Sequence, residues 1–468
     1  MNRLLIPLLI VASANSLAEK KVLDYLYELR ASNPTIAEQT LSINQDARDL
    51  KFDRALSFLE ALTNENSEIS NLSKIEQSKL LANLGIIQIA SGDHKTGLIK
   101  IDQSLSLMSL SLKPFDPTYV NALIAKGIST RITENFEVSE AAFRRAQHIM
   151  HRESGIFTLA QLPLIDYLTL NKLKNGQYLS ADREQLFGIS IVRREFGAKA
   201  EPIVPRLMHT GRYFRRRAQS IPISTDADSI NLRGRILKSS REMFQETINI
   251  YENIYGSDSL KLVAPLRELA KVKLIGPTGR KGAEKDLKKA IAIFSSNDEF
   301  DLADLHTVNI ELGDFYAITK DERASAQYLE TWKRMQESEL SRDRAEKLFS
   351  KPLRLYPPRI VHYKLDRLPD SAIDNEDLFV ELQYDVNKLG KVSAISITGK
   401  NVPNDQARLV RELEKRTIYR PQITNGELVD SQENTLRQLF RVNENKIPDK
   451  KNGNSTDTKG KNLKNDTV

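Results

Sequence analysis

The stretch Leu378–Gly399, LFVELQYDVNKLGKVSAISITG, decides how the C-terminal part of this chain is read. Phe379, Glu381, Gln383 and Asp385 alternate with Val380, Leu382, Tyr384 and Val386, which is the period of a half-buried strand. Asn387 to Gly390 supply a turn, and Val392, Ile395 and Ile397 continue in strand-forming residues. The text therefore predicts a β-hairpin. Beyond it, Asp405 is placed to cap a helix over ARLVRELEK, in which Ala407, Val410, Leu413 and Glu414 keep helical spacing as far as Thr417. Tyr419-Arg420-Pro421 and Gly426 break the helix, and a last β-run is expected from Val429 to Val442. Strand, strand, helix, strand is the order predicted within residues 356–442, whereas the text before it is almost all helical.

This order resembles the C-terminal domain of the TonB family. The opening Tyr356-Pro357, the strand and Gly-bearing turn YDVNKLGKV, the helix Arg408 to Arg416, RTIYRP, Gly426 and a closing strand follow that family's punctuation. The family usually carries a Gly just before the first strand, where this chain has Glu376 and Asp377. A small α+β cap unrelated to the family would show the same order. The resemblance implies a module that binds outer-membrane receptors by adding a receptor strand to its sheet edge. Related modules also associate with peptidoglycan. Carried over, the pairing edge is Thr435 to Val442, with Tyr419, Arg420 and Pro421 at its entry. Leu436, Phe440 and Val442 share one face and Leu439 lies on the other.

Upstream the chain departs from an energy transducer, which has an uncleaved inner-membrane helix and a long Pro-rich span. Here Met1, Asn2 and Arg3 precede the apolar run Leu4 to Ala12, and Ser16-Leu17-Ala18 offers a cleavage site. That layout predicts a cleaved secretory signal over residues 1–18 and a periplasmic product. The run is interrupted by Pro7 and falls short of the ~20 residues that span a bilayer. No other stretch is long and apolar enough to cross, so no integral membrane segment is expected after cleavage.

Composition narrows the chemistry. At 468 residues the chain should hold two or more domains. It contains no cysteine, which removes disulfides, thiolate nucleophiles and cysteine-ligated metals together. Its net charge of +7 is spread over a surface rich in both signs, so anionic partners are favoured but a nucleic-acid stripe is absent.

From Lys20 to about Lys347 the text is helical and repeats itself. Leu81, Leu84, Gly85, Gly92, Gly97, Ile101 and Ser104 match most of the tetratricopeptide pattern, and Leu123, Gly127, Phe136, Ser139, Phe143 and Ala146 match it again. Partial copies stand at Phe52, Ala55 and Leu59, at Ala283, Leu287 and Ala290, and at Leu312, Gly313, Tyr316, Ala324 and Tyr328. Small residues belong where two helices cross closely; large ones fill the groove against the next pair. FGAKAEPIVPRL from Phe196 and YGSDSLKLVAPL from Tyr255 form a second self-similarity, with Gly197 and Gly256 as expected helix C-caps. The region resembles a tetratricopeptide array, whose units stack because none can bury its apolar face alone. The predicted fold is thus mainly α: a signal (1–18), a helical-hairpin array (19–350), a small TonB-like α+β domain (351–443) and a disordered polar tail (444–468).

Catalytic signatures are missing. His148 and His151 lack the spacing of a zinc-binding helix, and GPTGRKGAEK (Gly276 to Lys285) has the wrong spacing for a phosphate loop. Arg212, Arg215, Arg216 and Arg217 form a basic knot, flanked by Arg206, Arg233 and Arg235. It reads either as a dock for an anionic partner or as a solvated helix face paired with local acids. No metal, cofactor or catalytic residue is expected. The reading is a non-enzymatic envelope adaptor. Its partners would be envelope proteins, among them outer-membrane receptors or an inner-membrane energy-transducing complex, and peptidoglycan. The alternative is a purely structural scaffold whose C-terminal domain only caps the array.

Overall fold

A computed structural model describes residues 21–29, 34–63, 72–221, 227–276, 280–356, 363–365 and 378–442. The expected signal segment, residues 222–226 and 277–279, Pro357, Pro358 and the expected polar tail lie outside the described residues. The chain divides into two compact units, Met1–Thr210 and Gly211–Val468.

In the first unit, four helical hairpins follow one another: α1 (Pro34–Arg48) with α2 (Phe52–Thr63), α3 (Lys74–Ser91) with α4 (His94–Ser109), α5 (Tyr119–Ile132) with α6 (Phe136–Ser154), and α7 (Leu162–Lys174) with α8 (Tyr178–Phe196). Helix α9 (Val204–Gln219) begins in this unit and ends in the next. The second unit continues with α10 (Ala227–Tyr255), α11 (Val263–Ile275), α12 (Arg280–Ser295), α13 (Leu302–Thr319), α14 (Arg323–Met335) and α15 (Glu339–Phe349).

The hairpins close where the sequence predicts, and for the predicted reason. A Cβ on Gly85 would sit 2.7 Å from the Gly97 carbonyl oxygen, and one on Gly97 equally close to the Gly85 oxygen. Gly127 lies under the Phe143 ring, and a Cβ on Gly313 would come 2.6 Å from the Tyr328 ring. Helix α3 starts with a capping box, Ser73 with Glu76, and ends at Gly92 in the left-handed region. Gly197 and Gly256 end their helices with φ of 85° and 84°, and each leads through a short 3-10 turn into the next helix. Gly155 repeats this device ahead of α7. These are tetratricopeptide-like hairpins.

One further copy escaped the sequence reading. Gly211 on α9 faces Phe244 on α10, where a Cβ would meet the ring at 2.7 Å, and the Ser240 hydroxyl donates to the Gly211 carbonyl at 2.7 Å. Ser139 does the same to Gly127 at 2.8 Å. The opposite correction applies at the start of the array. Residues 21–29 are not α-helical; Lys21–Tyr25 form a 3-10 turn and the chain then runs irregularly.

The C-terminal region is a small α+β domain. Strand β3 (Phe379–Val386) and β4 (Val392–Lys400) form the expected antiparallel hairpin, followed by α16 (Asn404–Lys415). Asp405 lies inside the first turn of α16; the N-cap is Pro403, whose fixed φ suits a helix start. The sheet has the order β2-β8-β3-β4, where β2 is Tyr363–Leu365 and β8 is Ser431–Val442. Between helix and closing strand come β5 (Ile418–Arg420), β6 (Gln422–Thr424) and β7 (Glu427–Val429). β5 pairs with β1 (Leu353–Tyr356), while β6 and β7 make a tight hairpin through Asn425 and Gly426, both at positive φ. Val380, Leu382, Tyr384 and Val386 face a core shared with Ala407 and Val410 of α16 and Phe440 of β8.

Candidate interaction surfaces

The predicted contact residues divide by burial. Tyr419 and Pro421 are buried. The Tyr419 hydroxyl donates to Glu414 and meets the Tyr384 hydroxyl at 2.8 Å, while Arg354 pairs with the other Glu414 oxygen at 2.7 Å. Burial first, and then the Glu414 carboxylate, push the Tyr419 phenol far above its usual range, so it stays a donor. Above this knot, Gly390 supports the turn after β3. Its carbonyl accepts from the Tyr419 N–H at 2.9 Å, its φ is 74°, and any Cβ would overlap the Tyr419 carbonyl.

Arg420 points into the array. Its Nε and Nη2 donate to the two Asp314 oxygens at 2.9 and 2.7 Å, and the Tyr328 hydroxyl donates to the same carboxylate at 2.8 Å. Around this pair a second core joins Tyr328, Met335, Ala345 and Phe349 of the array to Ile418 and Ile423 of the domain. The joint uses β1, β5, β6 and β7 against α13, α14 and α15. Tyr419, Arg420 and Pro421 therefore serve the inside of the second unit, which corrects their expected place at the mouth of a partner strand.

The expected pairing edge is also shorter. Tyr363, Lys364 and Leu365 of β2 pair in parallel with Phe440, Arg441 and Val442, so the end of β8 is occupied by its own domain. From Ser431 to Leu439 the outer side of β8 has no strand partner among the described residues. The Phe440 N–H bonds the Leu378 carbonyl, and Gln438, Leu436 and Asn434 stand opposite Val380, Leu382 and Tyr384. By antiparallel alternation the main-chain groups of Thr435 and Arg437 then point away from β3. Leu436 and Phe440 pack inward, Thr435 is exposed, and Leu439 is exposed on the other face; the Val442 side chain lies outside the described residues. Bulges at Ala394 and Glu433, both at positive φ, interrupt the regular run of β4 and β8.

In the basic knot, Arg212 and Arg215 both pair with Glu268, at 3.2 and 3.1 Å, and Arg216 is exposed. Arg206 belongs to the first unit, where it bonds Asp166 at 2.8 Å. His209 also faces Asp166. Burial alone would raise the Asp166 carboxyl, but His209, Arg206 and Gln185 outweigh it and hold the group at about 2. The local-acid reading thus describes Arg212 and Arg215. His148 stacks edge-on against Phe115 and His151 bonds Gln161. Among the described residues no group of acids and histidines could hold a metal ion, and no helix is long and apolar enough to cross a membrane. An open groove of about 720 Å³ runs along α3 and α4 beside Leu81, Ile99 and Leu107; its one carboxylate, Asp102, is paired with Lys126.

No protein-family model and no curated protein sequence matches the chain. Solved structures similar to it include the nearly identical TPR-like repeats of a Podosopora anserina kinesin light chain, at 12% identity and a TM-score of 0.36, over 48% of this chain and 98% of that one. BtubC (BKLC) from P. vanneervenii is similar at 12% identity and a TM-score of 0.28, over 71% of this chain and 99% of its own. The apo form of the quorum sensor NprR from B. thuringiensis is similar at 13% identity and a TM-score of 0.32, over 73% and 98%.

Proposed function

We propose that the protein is a non-enzymatic adaptor of the cell envelope, exported by cleavage after Ala18 and working in the periplasm. In this reading the hairpin array engages protein partners, and the TonB-like domain adds a partner strand to β8. The strand would come from an outer-membrane receptor, which makes the protein an accessory to TonB-dependent transport; contact with peptidoglycan or an inner-membrane energy-transducing complex fits the same position. One observation carries the proposal. The domain is fastened to the array through β1 and β5 to β7, while the outer side of β8 from Ser431 to Leu439 has no strand partner among the described residues. An unprotected edge is a template for another chain.

The absence of cysteine makes a direct test simple. A Leu439→Cys chain carrying a short thiol cross-linker should join an outer-membrane protein in intact envelopes, whereas Ser111→Cys on the array should not. The purely structural reading is favoured by the Arg420–Asp314 pair and the shared core, which suit a terminal cap. It predicts no cross-link from Leu439→Cys.

A further inference from the structure

The segment at residues 21–29 sits on the array as a bound peptide would. It has no regular ladder of its own beyond one 3-10 turn, yet the main chain at Tyr27 is satisfied by side chains of distant helices. The Asn83 carboxamide of α3 accepts from the Tyr27 N–H at 2.7 Å and donates to the Tyr27 carbonyl at 2.9 Å. Asn44 of α1 donates to the same carbonyl at 2.9 Å, and the two asparagines bond each other at 3.2 Å. At the start of α5 the Tyr27 hydroxyl donates to the Thr118 carbonyl at 2.6 Å and accepts from the Ala122 N–H at 3.0 Å. The Tyr25 ring meets Tyr167 of α7 with centroids 6.2 Å apart.

These partners lie on α1, α3, α5 and α7, the first helix of each of four successive hairpins. Val22, Leu23, Leu26 and Leu29 are buried in the same core as those helices, whereas Lys21, Asp24 and Glu28 point to solvent. A peptide ligand is held in this way: its backbone by carboxamides, its apolar side chains between helices, its charges outward. A buried carboxamide pair is costly to leave unbonded, so the site demands an occupant with a free main-chain N–H and carbonyl.

We propose that α1, α3, α5 and α7 form a peptide-binding groove and that residues 21–29 are its intramolecular ligand, displaced by a partner protein's segment of the same chemistry. That chemistry is two adjacent aliphatic residues followed by an aliphatic–tyrosine pair, after Val22-Leu23 and Leu26-Tyr27. The tethered copy acts at an effective concentration of the order of millimolar, so a free peptide competes poorly until the tethered one is weakened. The groove is separate from the β8 edge, and either assignment can fail without the other.

The test uses a fluorescent peptide with the sequence of residues 21–29 and the full chain. Tyr27→Ala should bind it at least about tenfold more tightly than the unaltered chain, because the tethered competitor has lost its anchor. Adding Asn83→Ala should return binding to the unaltered level. Tyr27→Phe, which removes only the hydroxyl, should give an intermediate gain and serves if Tyr27→Ala does not fold. Hydrogen exchange of the unaltered chain gives an independent reading: the Tyr27 amide should exchange through an opening that leaves α3 and α5 protected. The proposal is overturned if that amide exchanges only when those helices unfold, or if a folded Tyr27→Ala or Tyr27→Phe chain gains no peptide affinity. Concentration-dependent dimers of the unaltered chain, made by trading this segment, would make a second copy the occupant and would equally overturn it.

Discussion

Replacing Arg420 by Met should uncouple the C-terminal domain from the array. The guanidinium and the Asp314 carboxylate are 7% and 16% exposed, and their two bonds are bidentate. Removing one partner of a buried pair leaves the other charged and undersolvated, at a cost of about 3–5 kcal/mol. Tyr328 still donates to Asp314, which places the loss near the lower end. The double variant Asp314→Leu, Arg420→Met removes both charges and leaves the Tyr328 hydroxyl without its acceptor, about 1–3 kcal/mol. The double variant should therefore be no less stable than Arg420→Met alone. Urea unfolding followed by tryptophan emission reads this directly. The chain has one tryptophan, Trp332, which lies against Gly426 in the joint, where a Cβ would meet the indole at 3.2 Å. If Arg420→Met shifts the Trp332 transition by less than about 1 kcal/mol, or if the double variant is markedly worse than the single, the buried-pair reasoning is wrong.

Other expectations follow from single close approaches and from one carboxylate. Gly127→Ala should cost about 1–3 kcal/mol in thermal or urea unfolding, because its Cβ would enter the Phe143 ring. Gly234→Ala, on an exposed face of α10 with nothing near its Cβ, should instead stabilise by about 0.5–1 kcal/mol. At Gly390 an alanine meets both a φ of 74° and the Tyr419 carbonyl, so it should cost about 3 kcal/mol or more, read as lost amide protection in β3 and β5. Asp166 is held at about 2 against its usual 3.8. A depressed carboxyl contributes stability above the unfolded value and loses it as pH falls through the folded one. The α7 and α9 amides should lose protection between pH 3.8 and about 2, and Arg206→Met should move that loss to higher pH.

Much of the array was legible because close helix crossing leaves a chemical mark. Gly85 and Gly97 stand where two backbones nearly touch, and Gly127 and Gly313 where an aromatic ring of the facing helix lies against the backbone, so that only Gly fits. The copy built on Gly211, Ser240 and Phe244 was hidden because α10 begins well before its crossing point and stretches the offset; the Ser-to-aromatic spacing shared with Ser139 and Phe143 was the available signal. Residues 21–29 read as helix from the sequence because Val22, Leu23, Leu26 and Tyr27 have the spacing of a helix face. What decides their conformation is Asn44 and Asn83, and nothing local announces them.

In the C-terminal domain alternation fixes the β3–β4 hairpin, and Asn425-Gly426 carries a readable signal for the β6–β7 hairpin just ahead of the run expected from Val429. The strands β1 and β2 have few residues, and their partners lie far along the chain, so their pairing is tertiary. The same holds for Arg420. Its sequence neighbours suggest an exposed entry to a strand, but its partner Asp314 is 106 residues away.

The most direct measurement concerns the outer border of β8. Thr435→Pro removes one outward main-chain N–H without touching the bonds to β3, a position at which a strand tolerates proline. Protection of the β3 amides should be unchanged, and capture of outer-membrane proteins by the altered chain should fall about tenfold or more, the loss of one well-made bond and its register. Undiminished capture by a chain whose sheet remains protected would contradict strand addition at this border.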